Sequence, residues 1–153
     1  MESGRRTKFR NGLSPLFIPF YNLLCDRLGD EWQPYMGFRT MEQQEALYAH
    51  GRTVPGEIVT HAHGPESAHC YGVAADFTLI KDNEPVWLLA SNPLWNSFDS
   101  IAESVGLRSG VLYSDPGHVE LKLSVSYHLD IARVFTEYGM DAAMKRIAET
   151  MIK

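Results

Sequence analysis

The chain has 153 residues, enough for one domain around one core. Apolar residues make up 44% and charged residues 22%, the balance of an ordinary soluble globular protein and not of a disordered or fibrous one. The net charge is -5, and cations gather only near the two ends (Arg5, Arg6, Lys8 and Arg10; Lys145, Arg146 and Lys153), so no basic face is offered to a nucleic acid, and the ends read as solvated rather than as a patch for an anionic envelope.

Residues 1–12 are polar and are expected to be loosely held. Ser14-Pro15 has the form of an N-cap and first helical residue; Phe17, Phe20, Leu23, Leu24 and Leu28 follow at helical spacing, and Gly29 closes the helix. Pro19 lies inside this pattern and leaves a later start open. Cys25, in the same stretch, reads as a small buried hydrophobe, and two cysteines make no disulfide framework. Pro15 and Pro19 interrupt the first apolar stretch, so no signal peptide is expected; no segment reaches the ~20 apolar residues of a membrane span.

Tyr35 to Phe38 is a short aromatic candidate strand. Thr40 followed by Gln43 predicts a capping box, opening a helix that carries Ala46, Leu47 and Tyr48 and ends at Gly51. Residues 51–66 read as a loop with Pro55, Gly56, Gly64 and Pro65, and a loop of such length is often functional. Ala74 to Ile80 reads as a buried strand. Asn92-Pro93 caps a helix running to Val105, with Trp95, Phe98, Ile101, Ala102 and Val105 on its apolar face and Gly106 at its end. His118 to Leu123 alternates Val119, Leu121 and Leu123 against His118, Glu120 and Lys122, as a strand does. The last segment reads as helical from about Ser126, broken at Gly139 and resuming after Asp141. Helices and short strands do not alternate regularly, which favours an α+β fold in a single domain over a parallel α/β sheet.

Four residues carry the chemistry. His69 and Asp76 lie seven apart around Gly72; Asp115 and His118 lie three apart around Pro116-Gly117. Two imidazoles and one carboxylate (His69, Asp76, His118) leave a position open on Zn²⁺, as a catalytic zinc requires. If the strands bearing Asp76 and His118 are neighbours, their spacing of ~4.8 Å brings both ligands to a common ion. A carboxylate ligand makes bound water less acidic, so a separate base becomes more useful. Asp115 suits that part, taking a proton from water and delivering it to the leaving amine. An Asp before Pro-Gly alone is commonly an Asx-turn residue; the company of the other three favours catalysis.

Arg39, just before the Thr40 N-cap, is placed to hold a substrate carboxylate, or else pairs with Glu42 or Glu45 at the surface. Ser67 either bonds the substrate backbone or caps the turn carrying His69. Glu120 shares a strand face with His118 and is either an acceptor for an imidazole N–H or a surface carboxylate. His61 and His63 form a His-x-His pair, more often solvent-facing than metal-binding in a loop. Cys70, His50 and His128 read as packing, surface or helix-end residues.

Ser67-x-His69-x-x-Gly72-x-Ala74-x-Asp76, with Asp115-x-x-His118 downstream, resembles the zinc peptidases of the D-alanyl-D-alanine carboxypeptidase and L-alanyl-D-glutamate endopeptidase group, peptidase family M15. The run Gly37-Phe38-Arg39-Thr40-x-x-Gln43-Gln44-x-x-Leu47-Tyr48-x-x-Gly51-Arg52-Thr53, then Pro55-Gly56-x-Ile58-Val59-Thr60, looks like the phage endolysins and autolysins of the L-alanyl-D-glutamate subgroup. The resemblance covers roughly residues 35–121. It implies a small antiparallel sheet carrying the zinc site, flanked by helices, with ligands at His69, Asp76 and His118, a catalytic acid/base at Asp115, and Arg39 as anchor of a peptide carboxylate. It implies a monomeric, Zn²⁺-dependent endopeptidase acting on peptidoglycan stem peptides, made in a host bacterial cytoplasm and released to the wall. The alternatives are a D-alanyl-D-alanine carboxypeptidase and a non-catalytic zinc-containing wall-binding module. Tyr113 stands where family members often carry Trp before the Asp-x-x-His motif, and the family offers no role for His61 and His63.

Overall fold

The computed structural model describes residues 4–152. Gly4–Arg10 forms a helix (α1), in place of the loose start expected for residues 4–12. The reason lies far along the chain: buried Arg6 donates to the carbonyl oxygens of Gly29 and Trp32, and Tyr21 Oη donates to the Arg6 carbonyl at 2.9 Å. A guanidinium with backbone acceptors can be buried, and burying it orders the short helix. The expectation for residues 1–3 lies outside the described residues.

The next helix is Ile18–Leu28 (α2), with Pro19 in its first turn and Gly29 beyond its end at φ 73°, so the later of the two starts is the one taken. Ser14 instead makes a turn, its Oγ accepting from Leu16 N–H and its carbonyl from Phe17 and Ile18. The first strand is Trp32–Met36 (β1), earlier than Tyr35–Phe38, with Pro34 beside a register shift and at a sheet edge, where a missing N–H costs least. Met41–Ala49 (α3) opens on the expected Thr40–Gln43 capping box and ends before His50, two residues short of Gly51.

Ala74–Lys81 (β2) turns through Asp82 and Asn83, both at positive φ, into Glu84–Val86 (β3), an unforeseen strand. Two such residues fit a tight hairpin. Leu94–Ser104 (α4) follows, with Asn92 Oδ1 accepting from Leu94 N–H. Leu107–Ser109 (β4) and His118–Leu121 (β5) complete an antiparallel sheet of order β1-β2-β5-β4, with β3 on the second half of β2. The helical C-terminal segment is a π-helical turn, Tyr127–Ile131, then Ala132–Tyr138 (α5) and Met140–Thr150 (α6), broken at Gly139 with φ 91°. An α+β fold with a small antiparallel sheet flanked by helices is therefore the architecture.

Two compact units are built from interleaved segments: residues 4–38 with 72–122, and 39–71 with 123–152. The first holds the whole sheet and an aromatic core in which Phe98, fully buried, stands 5.2 Å from Trp32 and 5.8 Å from both Phe77 and Trp95, ring centre to ring centre. Phe98→Ala should cost about 3–5 kcal/mol in a denaturant titration, because the rigid rings around it cannot close the void. In the second unit Tyr71 packs edge-on to Phe135, and Leu123, Ile131 and Ile147 are buried.

Candidate active site

In the first unit, β2 and β5 are antiparallel neighbours in which Asp76 faces His118 directly. The register follows from burial: Ala75, Phe77, Val119 and Leu121 go to the core, which sends Asp76, His118 and Glu120 to the opposite face. His118 Nδ1 lies 2.9 Å from Asp76 Oδ1, and its Nε2 lies 2.8 Å from Glu120 Oε1. The far oxygen of Glu120 is 3.9 Å from Arg108 on β4. Burial alone favours a neutral imidazole, but hydrogen bonds and charges from Asp76 and Glu120 outweigh it and raise the His118 pKa well above the usual histidine range.

The geometry fits a metal centre. Two donors each about 2.0–2.2 Å from a tetrahedral ion stand roughly 3.3 Å apart, close to the 2.9 Å between His118 Nδ1 and Asp76 Oδ1. Glu120 occupies the second nitrogen of the ring, as the carboxylate partner of a metal-binding histidine does, and leaves Nδ1 as the donor toward Asp76. Of the two readings left open for Glu120, the surface one is excluded.

Asp115 sits on the loop into β5, with Oδ2 3.9 Å from His118 Nδ1 and a side chain 67% exposed. The loop is tightly built: Asp115 N–H donates to the Gly110 carbonyl at 2.9 Å, Gly110 N–H donates to the His118 carbonyl at 2.8 Å, and Ser114 takes a left-handed φ of 57°. Gly117 has φ 88°, its carbonyl accepts from Phe77 N–H at 2.8 Å, and a Cβ there would come within 2.3 Å of the Phe77 carbonyl oxygen. Only glycine fits this close approach of the loop to β2. Tyr113, on the same loop, is 71% exposed.

The second unit holds His69, Ser67 and Arg39. His69 is buried in the 3-10 turn Ala68–Tyr71, and its carbonyl accepts from Arg39 N–H at 3.2 Å. Ser67, also buried, ends the 3-10 turn Gly64–Glu66, its N–H donating to the Gly64 carbonyl. Arg39 Nη1 donates to Gln44 Oε1 at 3.0 Å, and Gln44 Nε2 donates to the Ala62 carbonyl at 3.0 Å and to Thr60 Oγ1 at 3.3 Å. The sequence reading assigned Gln44 no role; it is buried and ties Arg39 to the loop before His63. A polar residue on the inner side of a helix was the available signal.

Glu45 serves His63, lying 3.1 Å from its Nδ1 and accepting Gly64 N–H at 2.8 Å. The Gly64 amide, and then His63, hold the Glu45 carboxyl below its usual range. His63 also stacks on Tyr48 with ring centres 3.7 Å apart, which gives it a structural place in the loop; His61 is exposed. Cys70 is buried, and burial pushes its thiol up to about 11, so it stays a neutral packing group.

No protein-family model matches the sequence. Among characterised proteins, the peptidoglycan L-alanyl-D-glutamate endopeptidase CwlK of Bacillus subtilis strain 168 is 37% identical over 95 residues, covering 56% of this chain and 57% of that protein. The chain thus aligns with little more than half the length of this relative. The fold is that of the Serratia marcescens L-Ala D-Glu endopeptidase ChiX, at a TM-score of 0.58 and 16% identity over 90% of this chain and 92% of that one. It is also similar to the vancomycin-resistance D,D-dipeptidase VanXYg, solved with a D-Ala-D-Ala phosphinate analogue, at a TM-score of 0.52 and 17% identity over 87% of this chain and 58% of that one.

Proposed function

We propose that the chain is a zinc-dependent endopeptidase that hydrolyses the L-alanyl–D-glutamate bond of peptidoglycan stem peptides and acts as a monomeric phage endolysin, made in the host cytoplasm and working on the wall. The observation that carries the reading is His118, held between Asp76 and Glu120 with Asp115 at the rim. Further support comes from the chemistry of the donor set, since two imidazoles and one carboxylate (His69, Asp76 and His118) suit a catalytic zinc ion, and from the printed activities of CwlK and ChiX.

When bound, the zinc ion supplies Lewis-acid chemistry at the scissile carbonyl. His69, Asp76 and His118 hold it. Glu120 keeps the His118 ring oriented. Asp115 takes the proton of the attacking water and returns it to the departing amine. Arg39, its guanidinium steadied by Gln44, holds a substrate carboxylate, and Ser67 bonds the substrate backbone. A non-catalytic wall-binding module has no use for a carboxylate at the Asp115 position.

Digestion of purified peptidoglycan followed by mass spectrometry tests the reading. New amino termini at D-glutamate are expected, and chelation should stop their appearance. New termini at D-alanine instead would move the assignment to the D,D-carboxypeptidase alternative, the activity class nearer to VanXYg. Addition to cells from outside, compared with expression inside them together with a membrane-permeabilising protein, tests the lysin role. Glu120→Ala should weaken zinc binding by about 10–100-fold, measured by competition with a chromophoric chelator, because the His118 ring loses its acceptor.

A further inference from the structure

Within the second unit a cavity of about 420 Å³ lies between the 3-10 turn Gly64–Glu66 and the π-helical turn that leads into α5. Pro65, Leu129 and Ala132 give it apolar walls; Glu66, His128, Arg133 and Glu137 add polar groups. We infer that this cavity is a subsite for the residue following the glutamate of the peptide substrate, and that it selects a residue whose side chain ends in a carboxylate. The inference rests on the endopeptidase reading above.

Arg133 is the first reason. It faces Glu137 at 3.6 Å with side chains 59% and 48% exposed, and its guanidinium makes no hydrogen bond among the described residues. Such an exposed pair contributes little and yields readily to a better partner. Asp130, the acid near it on the preceding turn, is already taken by two hydrogen bonds from Arg146 at 2.9 and 3.0 Å. A planar fork of donors lining a cavity suits an incoming carboxylate in bidentate form.

The second reason is the π turn. Its wider winding leaves Leu129 71% exposed and His128 on the cavity wall, and single π turns recur at functional sites. His128 Nδ1 contacts Glu66 Oε2, while Glu66 Oε1 accepts His63 N–H at 2.9 Å, so both Glu66 oxygens are engaged. Methylene groups of a long side chain would lie on Pro65, Leu129 and Ala132, with the charged end at Arg133.

Position along the chain is the third reason. Glu66 is followed at once by Ser67 and then, two residues on, by His69, the segment assigned to substrate and ion.

Two tripeptides provide the test: L-Ala–γ-D-Glu–meso-diaminopimelate and L-Ala–γ-D-Glu–L-Lys, which differ by one carboxylate. Calorimetric binding to the zinc-loaded Asp115→Asn chain keeps the peptides intact. The first should bind about tenfold more tightly than the second. Adding Arg133→Gln should bring the two within about twofold by weakening only the first. Equal affinities in the Arg133 chain, or a preference that survives Arg133→Gln, overturns the subsite. Arg133 is exposed on α5, so its replacement leaves the fold intact. Cleavage is scored separately by mass spectrometry on the unsubstituted enzyme: failure to cut either peptide overturns the endopeptidase reading, whereas the binding preference reports on the cavity alone.

Discussion

His118→Ala is expected to abolish zinc binding and wall hydrolysis together, with kcat/KM falling by ~10⁴-fold or more, about 5.4 kcal/mol of transition-state stabilisation. The expectation follows from where the ring sits. It lies 2.9 Å from Asp76 and 2.8 Å from Glu120, so its removal takes away a proposed metal donor and leaves both carboxylates without the ring they hold. No histidine or cysteine elsewhere on β2 or β5 can take its place. Asp76→Ala should have the same effect on zinc and activity. Metal content by mass spectrometry, read beside hydrolysis of purified walls, checks both. Retention of stoichiometric zinc by His118→Ala, or undiminished wall hydrolysis by thoroughly chelated wild type, would overturn the metal assignment.

Much of the first unit was legible because its signals are local. The alternation from His118 to Leu123 marks β5, the mainly apolar segment from Ala74 to Ile80 marks β2, and Gly72 and Gly117 mark the turns that bring Asp76 and His118 to facing positions. The Thr40–Gln43 box fixed the start of α3 to the residue. What stayed hidden depends on partners remote in sequence. Arg6 reads as a solvated cation until the carbonyls of Gly29 and Trp32, 23 and 26 residues away, are known to be its acceptors. Pro34 argues against a strand unless the strand is an edge with a register shift beside it, as β1 is.

The site shows the same division. Residue types and spacing singled out His69, Asp76, Asp115 and His118, because metal ligation and proton transfer demand those groups. Orienting residues have no such signature. Glu120 looked equally like a surface charge, since the alternation of β5 does not say what lies across its polar face. Gln44 offered only a polar side chain on the inner side of a helix, and an amide there becomes a tether only when a loop 16 to 18 residues later folds against it. Glu45, one of two acids that the alternative surface reading offered to Arg39, belongs to His63 and Gly64 instead, a choice made by the Gly64–Glu66 turn and invisible in spacing.

Asp115→Asn should keep zinc and fold while lowering kcat by about 10²–10⁴-fold, the usual worth of a positioned acid/base. The side chain is 67% exposed, so stability should stay within about 0.5 kcal/mol of wild type. Its place is fixed by the backbone, through the Asp115 N–H to Gly110 and the glycine at 117, and an amide of the same shape will occupy it. What the amide lacks is a basic oxygen to receive a proton. KM should therefore change little while kcat falls. An Asx-turn residue without catalytic duty predicts the reverse: asparagine serves such turns as well as aspartate does, so hydrolysis would continue at the wild-type rate. Steady-state kinetics on a defined muropeptide, with zinc content and thermal midpoint measured on the same preparation, separates the two.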